Sequence, residues 1–570
     1  MVYTVANYII DRLKKQQADA LFGVPSVYCA DLYDAAESTP GFSAIVTSSD
    51  LEAGYAADGY ARIRGLAAVA VSYGVGTLSL VNAIAGAFVE RSPVVVINGG
   101  PSERNISDQT STGVVYSHSM GRAHTDLDVF RPVTAFCERV TTLAAVPAKI
   151  DQAISTAITR KLPVYLEIPQ GVLASACAPP AGKLNLTVPA GVAAKSAKAI
   201  VQAIKAAKAP VLIVGVEVQR YGIATTMLSV IDKLKIPWTT TLLERTVLLE
   251  AHPQFIGVFN GEKAPSPLKA AISGADLIVS LGAVFGSGHA SIMIPQHKKT
   301  IRVWDGNIYS FGGAAEQLSF TELLAQLDKN TMMETGQPTA PQSGPYRVRE
   351  QGEAAWDGDR DLVPQPPRAP SEPAPVIASA ANGMTYDDLF RVVEQLAGLD
   401  PSYLTIADTF LGIYSAARIQ MSGQDCFMAN AIWASIGHSV AAAVGAAVAK
   451  RKRPLVICGD GGFQMTAQSL STMARLKLNV IVLIVDNGLY GYEQYLLDRR
   501  YYSDPKHDPL PFSVISRWDY LELARGMGIA QVAKANTMPE LKAAITAAKA
   551  QPGSAVIQAI VQSRSLPVGL

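Results

Sequence analysis

Cysteine is scarce in this chain. Five residues, at positions 29, 137, 177, 426 and 458 of 570, form no CxxC pair and no metal-ligand spacing. Isolated and odd in number, they exclude a disulfide framework and a cysteine-bound metal, and they fit a reduced, cytoplasmic chain. Charge is also sparse, at 17%, and 49 basic residues nearly cancel 48 acidic ones. That balance removes the electrostatic case for nucleic acid or an anionic membrane as partner. No uncharged apolar run reaches the ~18 residues of a membrane span. The alanine-rich "SVAAAVGAAVA" is too short and reads as a buried helix. The opening "MVYTVANYIIDRLKKQQADALFGVP" carries charges inside its apolar pattern, so it reads as an amphipathic helix and not a signal peptide.

Apolar residues make up 49% of the chain, enough for several buried cores. Short continuous apolar runs alternate with helical patterns: "LAAVAVS", "PVVVING", "LPVYLEIP", "PVLIVG", "DLIVSLG", "PLVICGD" and "NVIVLIVDN". Such runs, bounded by Gly and Pro, suit parallel strands covered on both faces. The class is α/β, with three doubly wound parallel-sheet domains. Composition divides the chain at 1–185, 190–330 and 379–570. A Pro-rich linker at 331–378, containing "TGQPTAPQSGPY" and "VPQPPRAPSEPAP", precedes the last domain. That domain opens at "MTYDDLFRVVEQLA" with Thr385 as helix cap.

The densest chemistry lies in "VICGDGGFQMTAQSLSTMARLKLNVIVLIVDNGLYGYEQ", from Val456. A strand enters Gly459-Asp460-Gly461-Gly462, a helix follows, and a second strand ends at Asp486-Asn487. The glycines permit a sharp turn and close approach to an anion. A helix start offers free amides to phosphate. Asp460 supplies a carboxylate oxygen and Asn487, 27 residues on, an amide oxygen. Magnesium takes six oxygens and is commonly shared with phosphates. Two ordinary turns would give the same letters.

"GDGG" with the step to Asn487 resembles the signature of thiamine diphosphate (ThDP) enzymes. The resemblance covers the whole chain and is closest to the pyruvate, indolepyruvate and branched-chain 2-oxo acid decarboxylases. It runs through "FGVPSVY", "AGYAADGYARIRG", "YGVGTLSLVNAIAGAFVERSPVVVINGGPS", "ANAIWASIGHS" and "LYGYEQ". It implies pyrimidine-binding, middle and diphosphate-binding domains in a homodimer or homotetramer, with Mg2+ held by Asp460, Asn487 and the Leu489 carbonyl. It further implies a cofactor shaped by Ile436, met by the Ala434 carbonyl and approached by Gly74 and Gly76. The family's activating glutamate falls at Asp50, in "SSDLEAGYAADGYAR". Aspartate is shorter by one methylene, about 1.5 Å. The backbone moves in, a water bridges, or activation weakens. Glu52 ranks second as the activating acid, because two residues on it points elsewhere. Asp50 could also be a solvated acid opening a helix capped by Ser48 or Ser49.

The family's proton-handling set is incomplete here. Val27 stands where an Asp belongs, Ser117 and His118 where two His belong, and Glu493 is retained. Neither Val nor Ser titrates near neutral pH. Loss of an acid typically worth 10²–10⁴-fold should leave the acyl carbanion for a second carbonyl to capture. The expectation is therefore an acyloin-forming carboligase acting on an aromatic or branched 2-oxo acid and an acceptor carbonyl. Aldehyde release, with His118 and Glu493 sufficing, is the alternative, and a ThDP-binding pseudoenzyme the second. By resemblance Val27, Ser117, Phe410, Tyr492 and Leu496 line the substrate pocket. His118 could instead be a loop His bonded to backbone, and Cys29 a buried inert thiol. "PVLIVGVEVQRYG" has no G-x-G-x-x-G, so nothing points to a bound flavin.

Overall fold

The computed structural model describes residues 2–334 and 383–570. Of the expected linker, residues 335–378 lie outside the described residues. The chain groups into two compact units. The first comprises Met1–Val188, Val440–Arg451 and Thr466–Leu478. The second comprises Pro189–Ser439, Lys452–Met465 and Asn479–Leu570.

The first unit holds a six-stranded sheet of β1 (Ala20–Gly23), β2 (Ser43–Val46), β3 (Ala67–Ala70), β4 (Val94–Gly100), β5 (Cys137–Arg139) and β6 (Val164–Pro169). All pairs are parallel, in the order β2-β1-β3-β4-β6-β5. Strand order reverses between β1 and β3, and ligands of such sheets sit beyond the carboxyl ends at that point. The amphipathic opening segment is the helix Val5–Lys15. Thr4 caps it, and Ile9, Ile10 and Leu13 are fully buried. Asp50–Arg64 is the next helix to matter. Ser49 caps it, accepting from Glu52 N at 3.2 Å. Inside it, Arg62 pairs with Asp58 and Glu90 with all three side chains buried. Removing one member of such a cluster leaves an uncompensated charge.

The second unit holds two sheets. One has β7 (Pro210–Val214), β8 (Trp238–Thr240), β9 (Phe255–Val258), β10 (Leu277–Leu281), β11 (Thr300–Trp304), β12 (Asn307–Ser310) and β13 (Glu316–Gln317), ordered β13-β12-β11-β10-β7-β8-β9. The other has β14 (Tyr403–Ala407), β15 (Phe427–Ala429), β16 (Arg453–Gly459), β17 (Ile481–Asp486), β18 (Gln531–Ala535) and β19 (Ala555–Ile560), ordered β15-β14-β16-β17-β19-β18 and wholly parallel. One continuous apolar cluster serves both, running from Ile200 and Leu212 to Leu455 and Ile557. Thr385 caps the helix Tyr386–Val393 through a reciprocal bond with Asp388. The first of these sheets departs from the all-parallel expectation, because β12 and β13 pair antiparallel at its edge. They are four and two residues long and rich in polar groups, so no apolar run announced them.

That sheet's own switch point, between β7 and β10, is closed. A side chain on Gly215 would strike Gly282 and Ala283 at 2.0 Å, so backbone packs on backbone there. The Glu244 carboxyl fills what remains. It is buried, bonded to Thr241 Oγ1 and faced by the amides of Val216 and Val284. Burial pushes the Glu244 carboxyl up to about 7. The unfolded chain gives up this proton near 4.5, so between those values the folded state binds more protons and stability falls as pH rises. Glu244→Gln is expected to remove that slope. Against the parent it should be more stable by about 3 kcal/mol at pH 8 and near parity at pH 4.5, measured by urea unfolding across pH.

Candidate active site

The structure gathers the expected site residues into two groups, one in each unit. In the first unit they surround the β1/β3 switch point. Gly74 adopts φ 68°, and a side chain there would strike the His118 carbonyl at 2.2 Å. Asp50 is half-buried at the start of its helix, and a Cβ on Gly76 would come within 2.9 Å of its Oδ1. No side chain among the described residues bonds that carboxylate, and burial raises its pKa. A half-buried acid with an open acceptor fits a ring nitrogen of an aminopyrimidine. Glu52 is engaged elsewhere. It is fully buried, accepts from Ser48 N at 2.9 Å and is faced by Thr472, Ser469 and Arg475. The physical ranking of Asp50 over Glu52 rests on that difference.

The pocket loops converge on the same place. Tyr28 donates to the Ser117 carbonyl at 3.2 Å, and its ring lies 6.2 Å from the His118 ring. His118 is exposed with φ 67°, Ser117 is exposed, and Val27 keeps 68% of its surface in solvent. Cys29, close by in sequence, is fully buried with its thiol pushed up by burial, so it is no nucleophile.

In the second unit the site is built from the tips of β14, β16 and β17. The chain leaves β16 at Gly459 and enters the helix Asp460–Thr466 at once, so Gly461 and Gly462 lie in its first turn and not in a preceding loop. They also have a packing reason: a side chain at Gly461 would meet the Tyr490 ring at 2.5 Å, and one at Gly462 the Cys458 sulfur at 3.1 Å. Asp460 is 2% exposed. Its oxygens accept from Gly461 N at 3.0 Å and Gly488 N at 2.8 Å. Asn487 Oδ1 accepts from Leu489 N at 3.0 Å, and Nδ2 donates to the Tyr386 hydroxyl at 2.9 Å.

A cation fits this place. Asp460 and Asp486 are both buried and repel one another, and among the described residues no ion pair reaches them; burial and Asp486 together hold the Asp460 carboxyl well above the usual carboxylate range. Asp486 Oδ2 takes Gln558 Nε2 at 2.7 Å, but Oδ1 has no partner. Two adjacent buried acids are costly unless a proton or a metal ion joins them. Among the described residues no three His, Cys, Asp or Glu side chains gather as a metal cluster. A donor set of one carboxylate with neutral oxygens, were it to hold a metal, would suit a hard ion.

Two residues escaped the sequence reading. Asp408, at the tip of β14, is buried and accepts from Gly437 N at 2.9 Å, Ser439 Oγ at 2.8 Å, Cys458 Sγ at 2.8 Å and Thr409 N at 2.6 Å. It pins the segment carrying Ala434, which sits at φ 58°, and half-buried Ile436. The strand-tip reasoning applied to Asp460 would have found it in "YLTIAD", since order reverses between β14 and β16. Asp126, also buried, accepts from Gly74 N at 2.9 Å and from Thr77 Oγ1, fixing the Gly74 turn. Of the remaining pocket residues, Phe410 packs by Phe390, and the Tyr492 hydroxyl meets that of Tyr414 at 3.0 Å. Glu493 and Leu496 lie exposed on the helix Gly491–Leu497.

Three α/β sheets, with acids and glycines at two switch points and a closed third, define a cofactor-dependent α/β enzyme. Comparison makes the class specific. Residues 3–121 match the thiamine pyrophosphate enzyme N-terminal TPP binding domain, 197–312 the central domain and 411–559 the C-terminal TPP binding domain. The chain belongs to the thiamine pyrophosphate enzymes. It is 29% identical to the alpha-keto-acid decarboxylase of Mycobacterium tuberculosis, over 99% of this chain and 95% of that one. It is 27% identical to the alpha-keto-acid decarboxylase of Mycobacterium leprae, over 99% and 94%. Among solved structures, the thiamine diphosphate-dependent 4-hydroxybenzoylformate decarboxylase of Rhodococcus jostii RHA1 shares the fold at TM-score 0.74 and 21% identity, over 98% of this chain and 99% of that one. Among the described residues no helix is long and apolar enough to cross a membrane.

Proposed function

We propose that this chain decarboxylates an aromatic or branched 2-oxo acid with thiamine diphosphate and Mg2+, and joins the acyl unit to an acceptor carbonyl. When bound, thiamine diphosphate supplies the electron sink for the carbon–carbon bond that breaks. Asp460, the Asn487 side chain and the Leu489 carbonyl would hold the metal, and the metal the diphosphate. Asp50 would meet the aminopyrimidine, with Gly74 and Gly76 leaving room for it. The relatives' names support decarboxylation of a keto acid.

The observation that carries the ligase reading is the loop beside Asp50: at Val27 and Ser117 it presents no group that can move a proton. His118 is the titratable side chain of that set left in the first unit, and it is exposed on a positive-φ turn. Glu493 remains on the other unit. Delivery of the proton that frees an aldehyde then slows by about 10²–10⁴-fold, and capture by a second carbonyl competes. Plain aldehyde release is the second reading, favoured by the decarboxylase names. Incubation with thiamine diphosphate, Mg2+, a 2-oxo acid and an aldehyde, with products identified by mass, separates them. An α-hydroxyketone is expected; aldehyde alone overturns the ligase reading. The double variant Val27→Asp, Ser117→His is expected to move the product at least about tenfold toward aldehyde, read in the same assay.

A further inference from the structure

A cavity of about 700 Å³ opens on the β10–β12 side of the seven-stranded sheet. Its floor is one face of β11. Ile301 and Val303 face the core on the other side, leaving Thr300, Arg302 and Trp304 toward the cavity. Tyr309 stands opposite Arg302 on β12. Phe285 and Met293 close the far wall. The volume is that of a small-molecule site.

The chemistry of the lining is one-sided. Among the cavity's lining residues there is no carboxylate. Among the described residues Arg302 forms no ion pair and its buried Nε has no hydrogen-bond partner; its guanidinium carbon lies 5.7 Å from the ring centres of both Phe285 and Trp304. Glu217, whose charge acts on it, is itself buried and already accepts from Asp305 N at 3.2 Å. A partly desolvated arginine between two aromatic faces is costly until an anion arrives. Burial lowers its pKa accordingly.

We propose that this cavity is a second ligand site, which takes a small aromatic or branched monocarboxylate with its carboxylate on Arg302 and its apolar body against Phe285, Trp304 and Met293. The planar guanidinium matches a carboxylate in two-point contact. A phosphate ester fits less well. Of the two glycines that line the cavity, Gly286 has its amide taken, since Gly286 N donates to His289 Nδ1 at 3.3 Å, and His289 is buried with burial favouring its neutral form. One partly buried arginine suits a single negative charge.

The test is binding, and it does not depend on turnover of any 2-oxo acid. The holoenzyme is titrated with phenylacetate by calorimetry and by tryptophan fluorescence, which Trp304 should report. Saturable binding is expected, weakened at least tenfold in Arg302→Met and at least tenfold for the neutral probe benzyl alcohol. Ala290→Phe, which fills the cavity from its helical wall and keeps the arginine, should also abolish it. That variant decides the matter if Arg302→Met does not fold. No saturation in the parent protein, equal affinity in the variants, or binding of phenyl phosphate in preference to phenylacetate would each overturn the proposal.

Discussion

Asp460→Ala is expected to fold and yet fail to retain thiamine diphosphate, with affinity down by more than about 100-fold and turnover lost in proportion. The argument is electrostatic. Asp460 and Asp486 are buried side by side with one oxygen lacking any partner, a repulsion that a divalent cation removes. Removing Asp460 relieves the repulsion, so the apo variant should melt no lower than the apo parent. It also takes away the one charged donor of the metal set, leaving only Asn487 and a carbonyl. A variant that melted normally and still held the cofactor in magnesium would show that the diphosphate is gripped elsewhere. Calorimetric titration with thiamine diphosphate reads this directly.

Asp50→Ala is expected to lower kcat by about 10²–10⁴-fold while magnesium-dependent cofactor binding stays within about threefold of the parent. The carboxylate sits at the start of a helix capped by Ser49, half-buried and bonded to no other side chain, with Oδ1 against Gly76. It contributes little to packing, so a structural loss is not the expected outcome. Asp50→Asn keeps the shape and removes the charge, and should fall with Asp50→Ala. If both asparagine and alanine variants turn over normally, the activating acid is another residue, and Glu52 is next in line. Glu52→Gln is distinguished by unfolding, because Glu52 is fully buried and bonded to Ser48 N.

The core of the fold was legible because its strands are continuous apolar runs. β4, β6, β10 and β17 are buried along their whole length, and β16 from Pro454 onward, as parallel strands covered on both faces must be. Thr385 announced its helix because a cap bonds its own first turn. What could not be read was non-local. Asp126 matters through Gly74, 52 residues away, and Asp408 through Gly437, Ser439 and Cys458. The glycines of the 459–462 stretch were read as room for an anion, and the structure adds tight contacts with Tyr490 and Cys458 that sequence spacing does not reveal. The closed crevice at Gly215 and Glu244 is another such case. There backbone packs on backbone beside a buried acid, contacts that no run of letters announces.

The most direct test of the central claim is the metal dependence of cofactor binding in the unaltered protein. Chain stripped with chelator and titrated with thiamine diphosphate should bind more than about 100-fold more weakly than the same chain resupplied with Mg2+, where one cofactor and one metal per chain are expected. Equal affinity with and without the cation would contradict the account, because the buried Asp460–Asp486 pair would then have no ion to hold.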